Sequence, residues 1–129
     1  MACPFFYPVA RFETNPWSVP PRLPLGDAFS GVCRAPESTV QPDEERMRAV
    51  CNLGYGRHGC EQFPSGSPAD AIRFHVTKDT GELIHIQYVF EKDCWPAECG
   101  DFDHTTADEI LRRQANVFLE SYLRRRSEA

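Results

Sequence analysis

The stretch AIRFHVTKDTGELIHIQYVFEK, residues 71–92, carries the clearest secondary-structure pattern in the chain. Apolar and polar residues alternate on both sides of its centre, which is typical of strands with one buried face. The alternating apolar positions are Ile72, Phe74, Val76, Ile84, Ile86, Tyr88 and Phe90. The two runs therefore predict an antiparallel β-hairpin.

The tripeptide DTG, residues 79–81, separates the two runs and suits a three-residue hairpin loop with Gly81 in the left-handed conformation. This loop sets Val76 opposite Ile84 and keeps apolar residues on one face. A four-residue loop would set Val76 opposite His85 and mix the faces. We therefore predict the three-residue loop.

Residues 107–125 show the spacing of an amphipathic helix, which Thr105 or Thr106 would cap together with Asp108 or Glu109. The predicted buried stripe consists of Ala107, Leu111, Ala115, Phe118 and Tyr122, flanked by Ile110 and Leu119. The predicted exposed side carries Arg113, Asn116, Glu120 and Arg124. Because a two-stranded hairpin is marginal by itself, we expect this helix to cover its apolar face.

The N-terminal half differs from the rest, because ten of the eleven prolines lie at or before Pro68. Residues 1–38 show neither helical nor alternating periodicity, yet they contain many large apolar side chains, so we expect an irregular segment that wraps over the core. A short helix near residues 42–53 would begin at Pro42 and end before Gly54, with Cys51 facing inward.

The fold class predicted from these patterns is α+β. It comprises a small antiparallel β-hairpin or sheet covered by a C-terminal helix, and an irregular, proline-rich N-terminal half that bears cysteines. A chain of 129 residues fits one domain, residues 1–129.

The net charge and the distribution of apolar residues argue against some classes of function. The net charge of −5 argues against nucleic acid or anionic membranes as general partners. The basic run at residues 124–126 suits the C-terminal end of a helix dipole. No segment reaches the roughly 20 apolar residues that span a bilayer, and the N-terminus resembles no secretory signal. We therefore expect a reducing cytoplasm, where cysteines favour metal binding or catalysis over disulfides.

Four of the six cysteines lie in the irregular half, each near a turn or breaker residue: Cys3, Cys33, Cys51 and Cys60. A single site on these four thiolates would tie that half together, since a structural metal can contribute ~10–16 kcal/mol to folding. None of the four is paired at the C-x2-4-C spacing of structural zinc, and one precedes proline. We therefore predict an iron–sulfur cluster of the 4Fe–4S type, with zinc as the alternative. The remaining alternative is free core cysteines, or a disulfide in an oxidising setting.

An iron–sulfur cluster would serve electron transfer, redox sensing or fold stabilisation, with a redox or complex partner protein. The zinc alternative predicts a protein-interaction module without catalytic activity. A cysteine-dependent enzyme is a further alternative, which needs a reactive thiol beside His58. The sequence singles out no set of nucleophile, base and oxyanion site, so a catalytic role is the less favoured one.

Other motifs are weaker. GYGRHG, residues 54–59, fits G-x-G-x-x-G, but a helix precedes it where a strand is required, so we interpret it as a turn. Cys94 and Cys99 flank a bend in an acidic loop and suggest a disulfide or an incidental pair. The hairpin register places His75 opposite His85, as an exposed pair rather than a metal site.

Overall fold

The computed structural model of the chain describes residues 2–12, 24–35, 38–52, 69–93, 95–102 and 108–128. The elements within these ranges are β1 (Phe6–Arg11), β2 (Phe29–Ala35), β3 (Ser38–Val40), α1 (Glu44–Arg46) continued by a π-helical turn (Met47–Cys51), β4 (Ala71–Asp79), β5 (Ile84–Lys92), β6 (Trp95–Asp101) and α2 (Glu109–Glu128). They form two antiparallel sheets, ordered β1-β2-β3 and β4-β5-β6, and a long C-terminal helix. The α+β class is confirmed.

Strands β4 and β5 form the predicted hairpin, but the predicted register is wrong. Val76 lies opposite Ile86, and Lys78 lies opposite His85, so the loop has four residues, 80–83. A bulge at Thr77 shifts the register and returns the apolar residues to one face, which is how the longer loop is accommodated. Gly81 adopts the expected left-handed conformation, with φ of 89°.

The alternating apolar side chains of the hairpin line the core as predicted. Ile72, Phe74 and Ile86 are buried, and Ile84, Tyr88 and Phe90 pack against the same cluster. A third strand, β6, continues this sheet, so the expected acidic loop is wrong over these residues. The sequence does not reveal β6 as a strand, because all of its residues except Gly100 are exposed and no apolar face alternates with a polar one.

The N-terminal half is not irregular where it is described, because β1, β2 and β3 form a sheet there. The prediction failed because Pro8 and Gly31 interrupt the expected pattern of side chains. Pro8 lies beside a bulge in an edge strand, a position that tolerates the missing N–H. It pairs with Gly31, where an added Cβ would overlap the Tyr7 carbonyl oxygen and lie 2.9 Å from the Pro8 Cα.

The short helix is real but smaller than predicted. Asp43 caps α1, since its carboxylate accepts a hydrogen bond from the Arg46 N–H at 2.7 Å. The π-helical turn that follows buries Met47 and Cys51, as the inward face of the sequence pattern predicts. The predicted stop at Gly54 lies outside the described residues.

Helix α2 begins two residues later than predicted and ends three residues later. Asp108 caps it, accepting hydrogen bonds from the Ile110 and Leu111 N–H groups at 2.9 and 3.0 Å. The proposed Thr105 and Thr106 caps, like Ala107, lie outside the described residues. The buried residues of the helix are Leu111, Gln114, Ala115, Val117 and Ser121, while Phe118 and Tyr122 are only partly buried.

The predicted exposed side of α2 is wrong at two positions. Arg113 donates to the carbonyl oxygens of Pro8 and Val9 at 2.7 and 2.9 Å, and Arg124 pairs with Asp27. Glu120 is exposed as expected. These arginines turn inward because they meet carbonyl and carboxylate oxygens of the N-terminal half.

The helix joins the two sheets rather than covering the hairpin alone. It contacts β1 directly, and its Phe118 ring stacks on Phe74 of β4 with centroids 5.5 Å apart. Ala2 also bridges the sheets, exchanging hydrogen bonds of 2.6 and 2.7 Å with Ile72. One hydrophobic cluster therefore includes residues from both halves of the chain.

Candidate metal centre

The structure brings together two of the four predicted ligand residues, Cys3 and Cys51. The Cys3 N–H donates a hydrogen bond to the Cys51 carbonyl oxygen at 3.0 Å. Their relative exposures are 7% and 5%, and both belong to the hydrophobic cluster. The main chains of two buried cysteines from distant parts of the sequence thus meet in the core.

Helix α2 fixes the backbone at Cys3 through Gln114. The fully buried Gln114 Nε2 donates to the carbonyl oxygens of Cys3 at 2.8 Å and Phe6 at 2.7 Å. The Phe6 N–H also donates to the Cys3 carbonyl oxygen, which closes a tight turn between the two residues. The sequence pattern did not predict this role for Gln114. Its place between Leu111 and Ala115 of the predicted buried stripe is the signal that could have indicated its burial.

Asn52, the residue after Cys51, fixes the backbone on the Cys51 side of the candidate site. Asn52 is 1% exposed, and its side chain bonds to both main-chain groups of Phe29 at 3.0 Å. Its Nδ2 also donates to the Met47 carbonyl oxygen at 2.7 Å, which closes the π-helical turn. A buried, fully bonded amide of this kind specifies one arrangement of its neighbours. Asn52 was also missed, because an asparagine after a helix usually signals only a turn.

Cys33, the third predicted ligand, is less buried than Cys3 and Cys51. On β2 it sits opposite Phe6 of β1 and Val40 of β3, with an intermediate exposure. Within the described ranges, no three His, Cys, Asp or Glu side chains are arranged to hold a metal ion. Cys60 lies outside those ranges. The four-ligand site therefore stays a prediction, and the structure joins two of its four residues by a main-chain hydrogen bond.

The remaining candidate residues are dispersed. His75 lies opposite Gln87, so the predicted pairing of His75 with His85 is wrong, and the bulge at Thr77 is the reason. Cys99 is an exposed free thiol on β6, opposite Val89. The second member of the suggested disulfide, Cys94, and the whole of GYGRHG with His58 lie outside the described residues.

A polar cluster at the end of α2 fastens the chain before β2. The Asp27 carboxylate accepts from Ser121 Oγ at 2.8 Å and pairs with Arg124 and Arg125. Burial by itself would raise the pKa of Asp27, but the hydrogen bonds from Arg124 and Ser121 and the two positive charges outweigh it, so the pKa lies below its ordinary value. The basic run 124–126 thus binds specific acids as well as suiting the helix end.

Asp79, at the end of β4, fastens the hairpin to the same helix. It accepts a hydrogen bond of 2.7 Å from the Tyr122 hydroxyl and pairs with Arg126 at 2.7 Å. The Tyr122 hydroxyl, the Gly81 N–H and Arg126 together lower the pKa of Asp79. The same hydrogen bond to Asp79 raises the pKa of Tyr122.

Comparison with known proteins yields no relative: the chain matches no protein-family model, no curated protein and no solved structure. Among the described helices, none combines the length and the apolar character needed to cross a membrane. The arguments for function therefore rest on the residues of this chain.

Proposed function

We propose that this protein binds a metal centre through cysteine thiolates, and that the centre is an iron–sulfur cluster on Cys3, Cys33, Cys51 and Cys60. The observation that supports the proposal is that Cys3 and Cys51 are both buried and that their main chains are hydrogen-bonded at 3.0 Å. Thiolates are soft ligands that select iron–sulfur clusters, zinc or copper(I) over hard cations.

The surroundings of this pair support a ligand role. A metal site needs its ligands held by residues that are themselves fixed. Gln114 provides such support at Cys3, because it bonds to the carbonyl oxygens of Cys3 and Phe6. Asn52, the residue after Cys51, is itself held by buried hydrogen bonds to Phe29 and Met47. The apolar cluster around the pair would limit solvent access, which tunes the potential of a cluster.

Completion of the site would order the chain around it. Cys33 and Cys60 are the residues we propose as the other ligands, with His58 as a substitute for one cysteine. Because metal binding and folding are coupled, the four sulfur atoms need converge fully only in the metal-bound protein. The cluster would exchange single electrons with a redox partner protein, or sense oxidants, in a reducing cytoplasm.

Zinc on the same thiolates is the second candidate, favoured by the support that a structural site would give to the sheet β1-β2-β3. It would make the protein a module for protein interaction without catalysis. Both candidates use the same ligands, so metal analysis distinguishes them.

The test is an absorption spectrum and an elemental analysis of protein purified without oxygen. An iron–sulfur cluster predicts a broad band near ~400 nm with iron and acid-labile sulfide, whereas zinc predicts a colourless protein. Cys3→Ser and Cys51→Ser should each lose the metal. Cys99→Ser is the matched control, since Cys99 is exposed on β6, and it should keep the metal. Absence of iron and zinc from the folded wild-type protein would refute the proposal.

A further inference from the structure

A groove of about 600 Å³ runs between β4 and the C-terminal half of α2, away from Cys3 and Cys51. Aromatic side chains of Phe74, Phe118 and Tyr122 contribute to its wall. Its other lining residues include Arg73, His75, Arg125 and Arg126, and none of the lining residues that the structure describes is acidic. Arg73 pairs with Glu91 at 2.7 Å, so the positive charge at the groove comes from Arg125 and Arg126, in a protein whose net charge is −5. The aromatic residues are called the base of the groove below, and these two arginines its rim.

The edge of β4 that borders this groove offers main-chain groups for hydrogen bonding. β4 is an edge strand of its sheet, and Ile72 turns both its N–H and its C=O away from β5, towards Ala2. On the other side of the hairpin, the Ile86 carbonyl oxygen accepts from the Phe102 N–H, so Ile86 does not bond to Val76, the residue opposite. Both observations indicate that every second residue of β4, starting at Ile72, turns its N–H and C=O away from β5.

That alternation points the main-chain groups of Phe74 and Val76 outward. Within the described part of the chain, these groups make no hydrogen bond on that side. An unpaired edge of this kind is a template for an added strand. Past the bridge to Ala2, no described residue pairs with the edge along the length that lines the groove.

The guanidinium groups at the rim retain hydrogen-bonding capacity. Each arginine has five N–H donors. Arg126 uses Nη1 on Asp79, and Arg125 uses Nη2 on the Gly26 carbonyl oxygen and Asp27. Asp27 also pairs with Arg124, so one carboxylate faces two guanidinium groups and an excess positive charge remains at this end of the groove.

We propose that the groove binds an extended acidic peptide from a partner protein, which adds as a strand to the edge of β4. Its main chain would bond to Phe74 and Val76, an apolar side chain would enter the aromatic base, and its carboxylates would meet Arg125 and Arg126. Strand addition obtains affinity from main-chain bonds and specificity from pockets for alternate side chains, and this groove supplies both features. The proposal does not depend on the metal centre.

The probes are fluorescent eight-residue peptides that alternate Glu with Val, Leu or Phe. Matched peptides carry Lys in place of Glu, or N-methyl groups on alternate residues. Binding is measured by fluorescence anisotropy, and amide exchange by NMR with and without peptide. We expect binding of an acidic peptide, loss of binding for its Lys and N-methyl versions, and slower exchange at the Phe74 and Val76 amides. The Arg73 and His75 amides should change little, because they already face β5.

Two variants locate the site. Val76→Pro removes an outward N–H, which an edge strand tolerates, and should abolish measurable binding while circular dichroism stays native. Arg126→Gln should weaken binding about tenfold, as expected for loss of a hydrogen bond to a charged group. Arg46→Gln, the same substitution outside the groove, should leave binding unchanged. If Val76→Pro does not fold, the binding affinity of Arg126→Gln and the amide exchange of the wild-type protein test the proposed site instead.

Three results would overturn the proposal. One is the absence of binding for all acidic peptides. Another is equal binding of the N-methylated peptides, which would indicate that side chains alone capture an anion. The third is binding without any change in exchange at Phe74 and Val76, which would place the peptide elsewhere.

Discussion

In the sheet β4-β5-β6, apolar side chains alternate along the hairpin and pack on one face against the core. In the sheet β1-β2-β3, by contrast, Pro8 and Gly31 lie within the strands, and polar side chains from outside the sheet hold it. Arg113 and Gln114 of α2 bond to the β1 main chain or its preceding turn, and Asn52 bonds to the start of β2. A strand can therefore be specified by its own side-chain pattern, or by side chains elsewhere in the chain that form hydrogen bonds with its backbone.

The two edge strands show the same contrast. At β1, the Pro8 and Val9 carbonyl oxygens accept from Arg113, and a bulge interrupts the edge. At β4, Ala2 covers only Ile72. Blocked edges resist added strands, and open ones accept them. The four predictions below separate the two sheets, and they begin with the largest expected effect.

Gly31→Ala should destabilise the N-terminal sheet most. The added Cβ would overlap the Tyr7 carbonyl oxygen, so the β1–β2 pairing must shift. We expect a loss of more than about 3 kcal/mol in the free energy of unfolding, measured by urea denaturation. Gly81→Ala is the comparison in the hairpin loop of the other sheet. There an added Cβ would meet no described residue within 4 Å other than its chain neighbours, and only the positive φ resists. It should cost about 1–2 kcal/mol, and a larger effect at Gly81 than at Gly31 would contradict the contrast.

Asn52→Ala should cost about 3 kcal/mol of unfolding free energy, because it leaves the N–H and the C=O of Phe29 without partners in the core. It also removes the side-chain bond to the Met47 carbonyl oxygen, which keeps its hydrogen bond from the main-chain N–H of residue 52. If the proposed centre forms, metal content should fall as well, since the residue preceding Asn52 is a proposed ligand. Chemical denaturation and elemental analysis of the same sample measure both effects. An unchanged unfolding free energy would show that the Asn52 hydrogen bonds do not hold β2.

Gln114→Met should destabilise the protein by about 2 kcal/mol, since the substitution keeps the volume and removes two buried donor bonds. Gln87→Met on β5 is the matched control, because Gln87 is only partly buried. It should change the unfolding free energy by no more than about 0.5 kcal/mol. Equal losses for the two variants would mean that Gln114 contributes no more than a partly exposed glutamine.

Asp27→Asn should have the smallest effect at neutral pH and should reduce the sensitivity of the protein to acid. The pKa of Asp27 is held below its ordinary value of 3.8, so its carboxylate contributes stability above that value. This contribution disappears as the pH falls through the lowered pKa. Between about pH 6 and about pH 3, the urea midpoint should therefore fall less for Asp27→Asn than for wild type. Asp101→Asn on β6 is the control, and an identical pH dependence for both variants would contradict the role of Asp27.

Sequence patterns predicted the elements whose own side chains specify them. The hairpin, the C-terminal helix and the inward Cys51 follow from periodicity, and the left-handed Gly81 follows from the turn residues around it. The hairpin register was not predictable from the pleat, because the bulge at Thr77 lets a four-residue loop preserve the apolar face. Strand β6 was missed because its side chains are almost all exposed.

The N-terminal sheet and the supports of the candidate site were missed for another reason. They depend on hydrogen bonds between residues far apart in sequence, such as Gln114 with Cys3. A single sequence reveals the buried stripe that contains Gln114, but not the carbonyl groups that it meets. The grouping of the cysteines stays a prediction from the sequence, and the structure adds a main-chain hydrogen bond between Cys3 and Cys51.

The most direct test of this contrast is residue-by-residue amide hydrogen exchange of wild type and Gln114→Met under native conditions. If side chains from α2 hold the N-terminal sheet, two amides should lose more protection in the variant than the Val89 amide of β5. They are the Phe6 amide at the start of β1 and the Arg34 amide of β2, which donates to the Phe5 carbonyl oxygen. The N-terminal sheet would then open separately while the hairpin stays closed. Equal loss of protection at all three amides would contradict the account, because both sheets would then depend on Gln114 to the same extent.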